Sequence, residues 1–115
     1  NNLFKENESE VRGGAIRLFE SSSRIDRDDI YYPVIANNNF ISNMSSSGGA
    51  IYSSHNQEIP IIFNSIFWDN LANTGKDLYN SSVTDILVYN NDIDTTLIDT
   101  PWVGDNNIYC NPAFD

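Results

Sequence analysis

One phrase returns along this chain. Gly13-Gly14-Ala15-Ile16-Arg17 recurs as Gly48-Gly49-Ala50-Ile51-Tyr52 and, altered, as Gly75-Lys76-Asp77-Leu78-Tyr79. Ahead of each copy stands a Phe-x-x-Asn element: Phe4-Lys5-Glu6-Asn7, Phe40-Ile41-Ser42-Asn43 and Phe67-Trp68-Asp69-Asn70. Two independent marks share one register, with roughly 27 residues between the second and third units. Such a period belongs to solenoids, in which no unit can bury its apolar face alone and stacking the next unit on it makes the core.

Asn and Ser are over-used while Ala, Leu, Glu and Lys are scarce, so the usual helix formers are missing and β-branched, aromatic and turn-forming residues remain. The expectation is an all-β chain, a single domain over residues 1–115. Val34 to Phe40 aligns with Ile61 to Phe67, and the series continues with Val88 under Ile62, Asn90 under Asn64 and Ile93 under Phe67. About four coils follow, at 1–33, 34–60, 61–86 and 87 to the end. Ser21 to Tyr32 and Thr95 to Asn107 exceed the period and read as loops that enlarge the first and last coils. Because the repeats run almost to both ends and residue 1 is Asn, the chain is expected to be a processed piece or a segment of something longer.

In-register parallel coils set equivalent side chains about 4.8 Å apart. Ile16, Ile51 and Leu78 should therefore form one inward ladder, and Phe4, Phe40, Phe67 and Ile93 another. Asn1, Asn37, Asn64 and Asn90, with Asn7, Asn43 and Asn70 as a second set, recur where a coil must bend. Asn tolerates left-handed backbone, and its amide can bond the same amide above and below, so both sets are expected to run as hydrogen-bonded ladders.

Sixteen acidic against six basic residues give a net charge of −10, which disfavours nucleic acid and anionic membrane surfaces as partners. No apolar run is long enough to insert in a membrane as a helix. The lone Cys110 cannot form an internal disulfide and reads as a small buried residue. His55 lies in a polar turn with no second His or Cys to share a metal.

The combination of Phe-x-x-Asn, Gly-Gly-Ala-Ile-Tyr and an apolar-Asn-x-x-Phe strand resembles the right-handed parallel β-helix proteins of bacterial surfaces and secretions. The likeness is to the pectate-lyase-like β-helix of choice-of-anchor proteins and to the repeats of polymorphic outer-membrane proteins. It implies a right-handed single-stranded solenoid and an extracellular or cell-surface location. Lys76-Asp77 departs from the Gly-Ala of the pattern, which suggests a more open corner in the third coil.

Parallel β-helices host polysaccharide lyases and hydrolases, so chemistry must be sought in residues. A glycosidase needs facing carboxylates and a lyase needs a base, commonly beside calcium-binding acids. The candidates are Asp26, Asp28 and Asp29 in the first loop and Asp69 with Asp77 on the third coil, and no convincing catalytic set emerges. Asp26, Asp28 and Asp29 offer oxygen ligands for a weak calcium site, without the EF-hand spacing, or else form a solvated acidic loop. No other cofactor is implied. Arg12, Arg17, Arg24 and Arg27 fall in the first coil, where ion pairs with nearby acids are the ordinary explanation.

If Ile51 and Leu78 point inward, Tyr52 and Tyr79 point outward on adjacent coils with Arg17 in line, and Trp68 follows the inward Phe67. Such a stripe offers a sugar a flat apolar face with hydrogen-bonding neighbours, or simply covers the outer sheet. Three functions stay open: a noncatalytic surface module that binds glycans or protein; a segment of a polysaccharide-degrading enzyme; and a structural protein that self-associates through its coil ends.

Overall fold

The computed structural model describes residues 1–19, 32–54, 59–82, 84–99 and 101–112. Within them the chain forms short strands: β1 (Asn2–Lys5), β2 (Ile16–Phe19), β3 (Val34–Ala36), β4 (Asn38–Ile41), β5 (Ile51–Ser54), β6 (Ile61–Phe63), β7 (Ile66–Trp68), β8 (Leu78–Asn80), β9 (Ile86–Tyr89), β10 (Ile98–Asp99) and β11 (Trp102–Val103). All their pairings are parallel, in three sheets ordered β1-β4-β7, β2-β5-β8-β10 and β3-β6-β9-β11. Each sheet takes one strand from each successive repeat, an all-β arrangement compatible with a parallel β-helix. Bridges from Ile66 to Asp92 and from Asp92 to Ile108 carry the first sheet onward. The only helical turn among the described residues is a 3-10 turn at Thr95–Leu97.

The changes of direction are made by single left-handed residues that recur in columns. Asn37, Asn64, Asn90 and Asn106 have φ of 58°, 50°, 54° and 56°; Glu6, Ser42 and Asp69 have 55°, 53° and 55°; Gly13, Gly48 and Gly75 have 64°, 66° and 58°. Such a conformation costs an ordinary L-residue roughly 1–2 kcal/mol, least for Asn, Asp and Gly. That explains why Asn and Gly hold two of the columns. At Gly49 the reason is different: a Cβ there would strike the Lys76 carbonyl of the next repeat. The Gly-Gly pair thus marks one bend and one close backbone contact.

The expected inward ladders are present. Ile16, Ile51, Leu78 and Ile98 stand in register, and Phe4, Phe40 and Phe67 stack with ring centroids 4.9 and 4.8 Å apart. Ile93 lies buried beyond Phe67, with Ile62 and Val88 paired in the third sheet. Fully burying one such side chain contributes about 1.5–3 kcal/mol, so these columns carry the core.

Two expectations about the backbone are corrected. Thr95 to Asn107 is not an inserted loop: Ile98 pairs with Leu78 and Trp102 with Ile86, so the segment closes one repeat and begins another. Its apolar positions are sparse and interrupted by the 3-10 turn, which hid the register. Nor do Asn37, Asn64 and Asn90 form an amide ladder. They share one bend, but their side chains are exposed and do not bond one another.

The ladder runs one residue later, through Asn2, Asn38, Ser65, Asn91 and Asn107. The backbone N–H groups of Asn2, Asn38, Ser65 and Asn91 donate to the side-chain oxygens of Asn38, Ser65, Asn91 and Asn107 at 3.1, 3.2, 2.9 and 3.0 Å. The second expected set is a true ladder. Asn7 donates to Asn43 Oδ1 from N and Nδ2 at 3.0 and 2.9 Å, and Asn43 does the same to Asn70 Oδ1 at 2.9 and 3.0 Å. The two buried amides also donate to strand carbonyls, Asn43 to Phe4 and Asn70 to Phe40, so their polar atoms are satisfied.

Candidate cleft at the end of the asparagine ladder

The ladder Asn7-Asn43-Asn70 ends on a carboxyl group. Asn43 and Asn70 each accept on Oδ1 from the Asn of the preceding repeat and donate from Nδ2 both to a strand carbonyl of that repeat and onward. At the third repeat no further Asn follows, and Asn70 Nδ2 donates to Asp77 Oδ1 at 2.9 Å. Asp77 occupies the register of Ala50: Ile51 N–H donates to the Asp77 carbonyl, just as Ile16 N–H donates to that of Ala50. Beyond it the chain runs as the 3-10 turn Thr95–Leu97, capped by Asp94, whose Oδ1 accepts from Thr96 N and Oγ1 at 3.0 and 2.6 Å.

The substitution of Lys76-Asp77 for Gly-Ala was expected to open this corner. Lys76 is exposed, but Asp77 is only 2% exposed, because its carboxyl folds in beneath the ladder to accept the Asn70 amide. Burial pushes its pKa up from 3.8 to about 7. The Asn70 hydrogen bond works against that rise, the negative Asp94 adds to it, and Lys76 opposes it. Among the described residues Asn70 alone hydrogen-bonds the Asp77 side chain.

Asp77 lines a cavity of about 210 Å³ bounded also by Trp68, Asp69, Asn70, Lys76 and Tyr109. Trp68 and Tyr109 stack at 6.0 Å with 28° between their planes. Tyr109 stands 60% exposed, and Asp69 sits in the left-handed column, where its Oδ2 accepts from Ser42 Oγ at 3.3 Å. The site therefore joins an aromatic wall to a rim of one ammonium and two carboxyl groups. It can hold the apolar face of a small ring while donors and acceptors meet its hydroxyls.

The expected stripe is only partly realised. Arg17, Tyr52 and Tyr79 do share a register, and the two tyrosine rings stack at 5.5 Å. Tyr52 is not an open face, however: it is 5% exposed, its hydroxyl donates to Ser81 Oγ at 3.1 Å, and the Arg12 guanidinium lies 5.1 Å from its ring centroid. Arg17 lies over Phe19 at 5.3 Å. Arg12 and Arg17 thus rest on rings, and among the described residues the salt bridge is Lys5–Glu6. Trp68 alone of the stripe joins the cleft.

Cys110 is exposed, not buried. Its thiol donates to Asp92 Oδ2 at 3.2 Å, and that bond to a carboxylate raises its pKa above the usual thiol value. Asp26, Asp28, Asp29, Arg24, Arg27 and His55 lie outside the described residues. Among those described, no group of three His, Cys, Asp or Glu side chains is placed to hold a metal ion, and no helix is long and apolar enough to cross a membrane.

Sequence reasoning missed Tyr109 and the union of Asp77 with Trp68. Tyr109 follows Ile108, which bridges Asp92, so it falls in the register of Ile93, yet it stands exposed against Trp68, and extending the inward column one repeat further would have placed it in the core instead. Asp77 was visible as a break in the phrase, but only the end of the Asn column explains its inward turn. Comparison with family models, with curated proteins and with solved structures finds no match for this chain.

Proposed function

We propose that this chain is part of a right-handed parallel β-helix that acts outside the cell or at its surface as a noncatalytic glycan-binding module. Right-handed crossover is the strong rule for parallel strands joined within one sheet, and the three parallel sheets in repeat register support the helix. The resemblance of the Gly-Gly-Ala-Ile-Tyr phrase to secreted β-helices supports the location. The observation that carries the function is the Trp68–Tyr109 stack lining a cavity of mixed polar and apolar walls. At about 210 Å³ the cavity falls below the roughly 300–1,000 Å³ of whole small-molecule sites, which suits one sugar ring of a longer chain.

Binding without turnover fits the three carboxyl groups in or beside the cleft among the described residues, each of which makes one or more structural hydrogen bonds. Asp77 accepts the ladder, Asp69 accepts Ser42 and Asp94 caps the 3-10 turn. A second reading, a segment of a polysaccharide-degrading enzyme, is favoured by one fact: a cleft carboxyl with a pKa near neutrality has the property of a general acid. A glycan array probed with the protein tests the first reading. Binding should be lost in Trp68→Ala and Tyr109→Ala and kept in Tyr79→Ala; retained binding in the first two overturns it. Polysaccharide turnover abolished by Asp77→Asn supports the enzyme instead.

A further inference from the structure

We propose that Asp77 is the specificity-determining residue of the cleft, selecting an uncharged sugar ring and excluding a uronate. The inference rests on the glycan-binding reading above. Asp77 is buried, yet it lines the cavity, with one oxygen committed to Asn70 and the carboxyl accepting no other hydrogen bond among the described residues. The carboxyl therefore has hydrogen-bonding capacity left for whatever enters. An uncharged ring can meet it with a hydroxyl.

A carboxylate on the ring meets a like charge in a partly dehydrated place, and such contacts are unfavourable unless one group takes a proton. The groups around Asp77 reinforce the sign. Asp94 on the following turn raises the negative potential and Asp69 adds a second carboxylate on the rim; among the described residues Lys76 is the one cation lining the cleft and Tyr109 the remaining titratable group. The chain as a whole carries −10, so its far field opposes an acidic polysaccharide as well. The aromatic wall supplies attraction that does not depend on charge, and Asp77 supplies the discrimination.

The selection carries its own pH signature. Above neutrality Asp77 is ionised and a uronate is repelled. Below it the protonated carboxyl donates a hydrogen bond, and the penalty against a ring carboxylate shrinks. Asn at this position keeps an acceptor for Asn70 and the shape of the side chain while removing the charge.

The matched probes are cellotetraose and the same tetramer oxidised at every C6 to glucuronate, titrated by calorimetry into the full chain. At pH 8 cellotetraose should bind at least tenfold more tightly than the oxidised form, and at pH 5 that ratio should fall to within about threefold. Asp77→Asn should bind both within about threefold at either pH. Equal affinities for wild type at pH 8, or a tenfold preference that persists in Asp77→Asn, overturn the assignment to Asp77. Failure of both tetramers to bind wild type overturns the cleft reading together with it. The pH comparison uses wild type alone, so the test stands even where the variant folds poorly.

Discussion

Asn70 and Asp77 are joined across one repeat by a 2.9 Å hydrogen bond that converts a ladder of neutral amides into a chain terminated by an acid. The alignment of Asn7, Asn43 and Asn70 directs successive N–H dipoles toward Asp77, and burial withholds the water that would otherwise stabilise its charge. Structure and local chemistry meet in that pair.

Its first consequence is a dependence of stability on pH. The folded-state pKa of Asp77 is raised, so the folded chain binds a proton more tightly than the unfolded chain. The resulting stability is fully present below about pH 4 and is lost as pH rises toward 7. A shift of this size corresponds to a few kcal/mol. Asp77→Asn should be more stable than wild type above pH 7 and lose that advantage near pH 4, as read by urea midpoints across pH. Parallel pH profiles for the two proteins contradict it.

The aromatic column gives a packing prediction. Phe40 has no exposed surface and is stacked between Phe4 and Phe67, so Phe40→Ala should destabilise by about 3–5 kcal/mol in equilibrium unfolding. A loss below about 1 kcal/mol would show that the stack is not a core.

Two asparagines that look alike in sequence should behave oppositely. Asn64 holds φ of 50° with an exposed side chain, and glycine meets that need without cost, so Asn64→Gly should change stability by less than about 0.5 kcal/mol. Asn70 accepts from Asn43 and donates to Phe40 and Asp77. Asn70→Gly should cost about 3 kcal/mol or more by stranding buried partners. Equal effects in thermal unfolding refute the division between bend and ladder.

That contrast also explains what was legible in the sequence. The Phe and Ile columns were readable because identical side chains stack on themselves, and the Phe-x-x-Asn set likewise. At the other bend the invariant residue was read as the ladder, yet Asn37, Asn64 and Asn90 are alike because the backbone there is left-handed. The hydrogen-bonding column beside them escaped notice because Ser65 interrupts its asparagines. Alternation reads Tyr52 as an open outward ring, but it does not reveal that Ser81 and Arg12 cover it and leave it 5% exposed. The cleft was harder still, since it arises where the repeat fails: Asp77 replaces alanine and the neighbouring segment turns as Thr95–Leu97.

The most direct test of the account is a two-dimensional amide NMR titration of the labelled chain with cellotetraose at pH 7.5. The account predicts saturable shifts confined to the Trp68 indole N–H, the Asn70 side-chain amide and the backbone of Asp69, Lys76, Asp77 and Tyr109, with Arg17, Tyr52 and Tyr79 unmoved. Shifts centred on Tyr52 and Tyr79, or none at millimolar sugar, would contradict it.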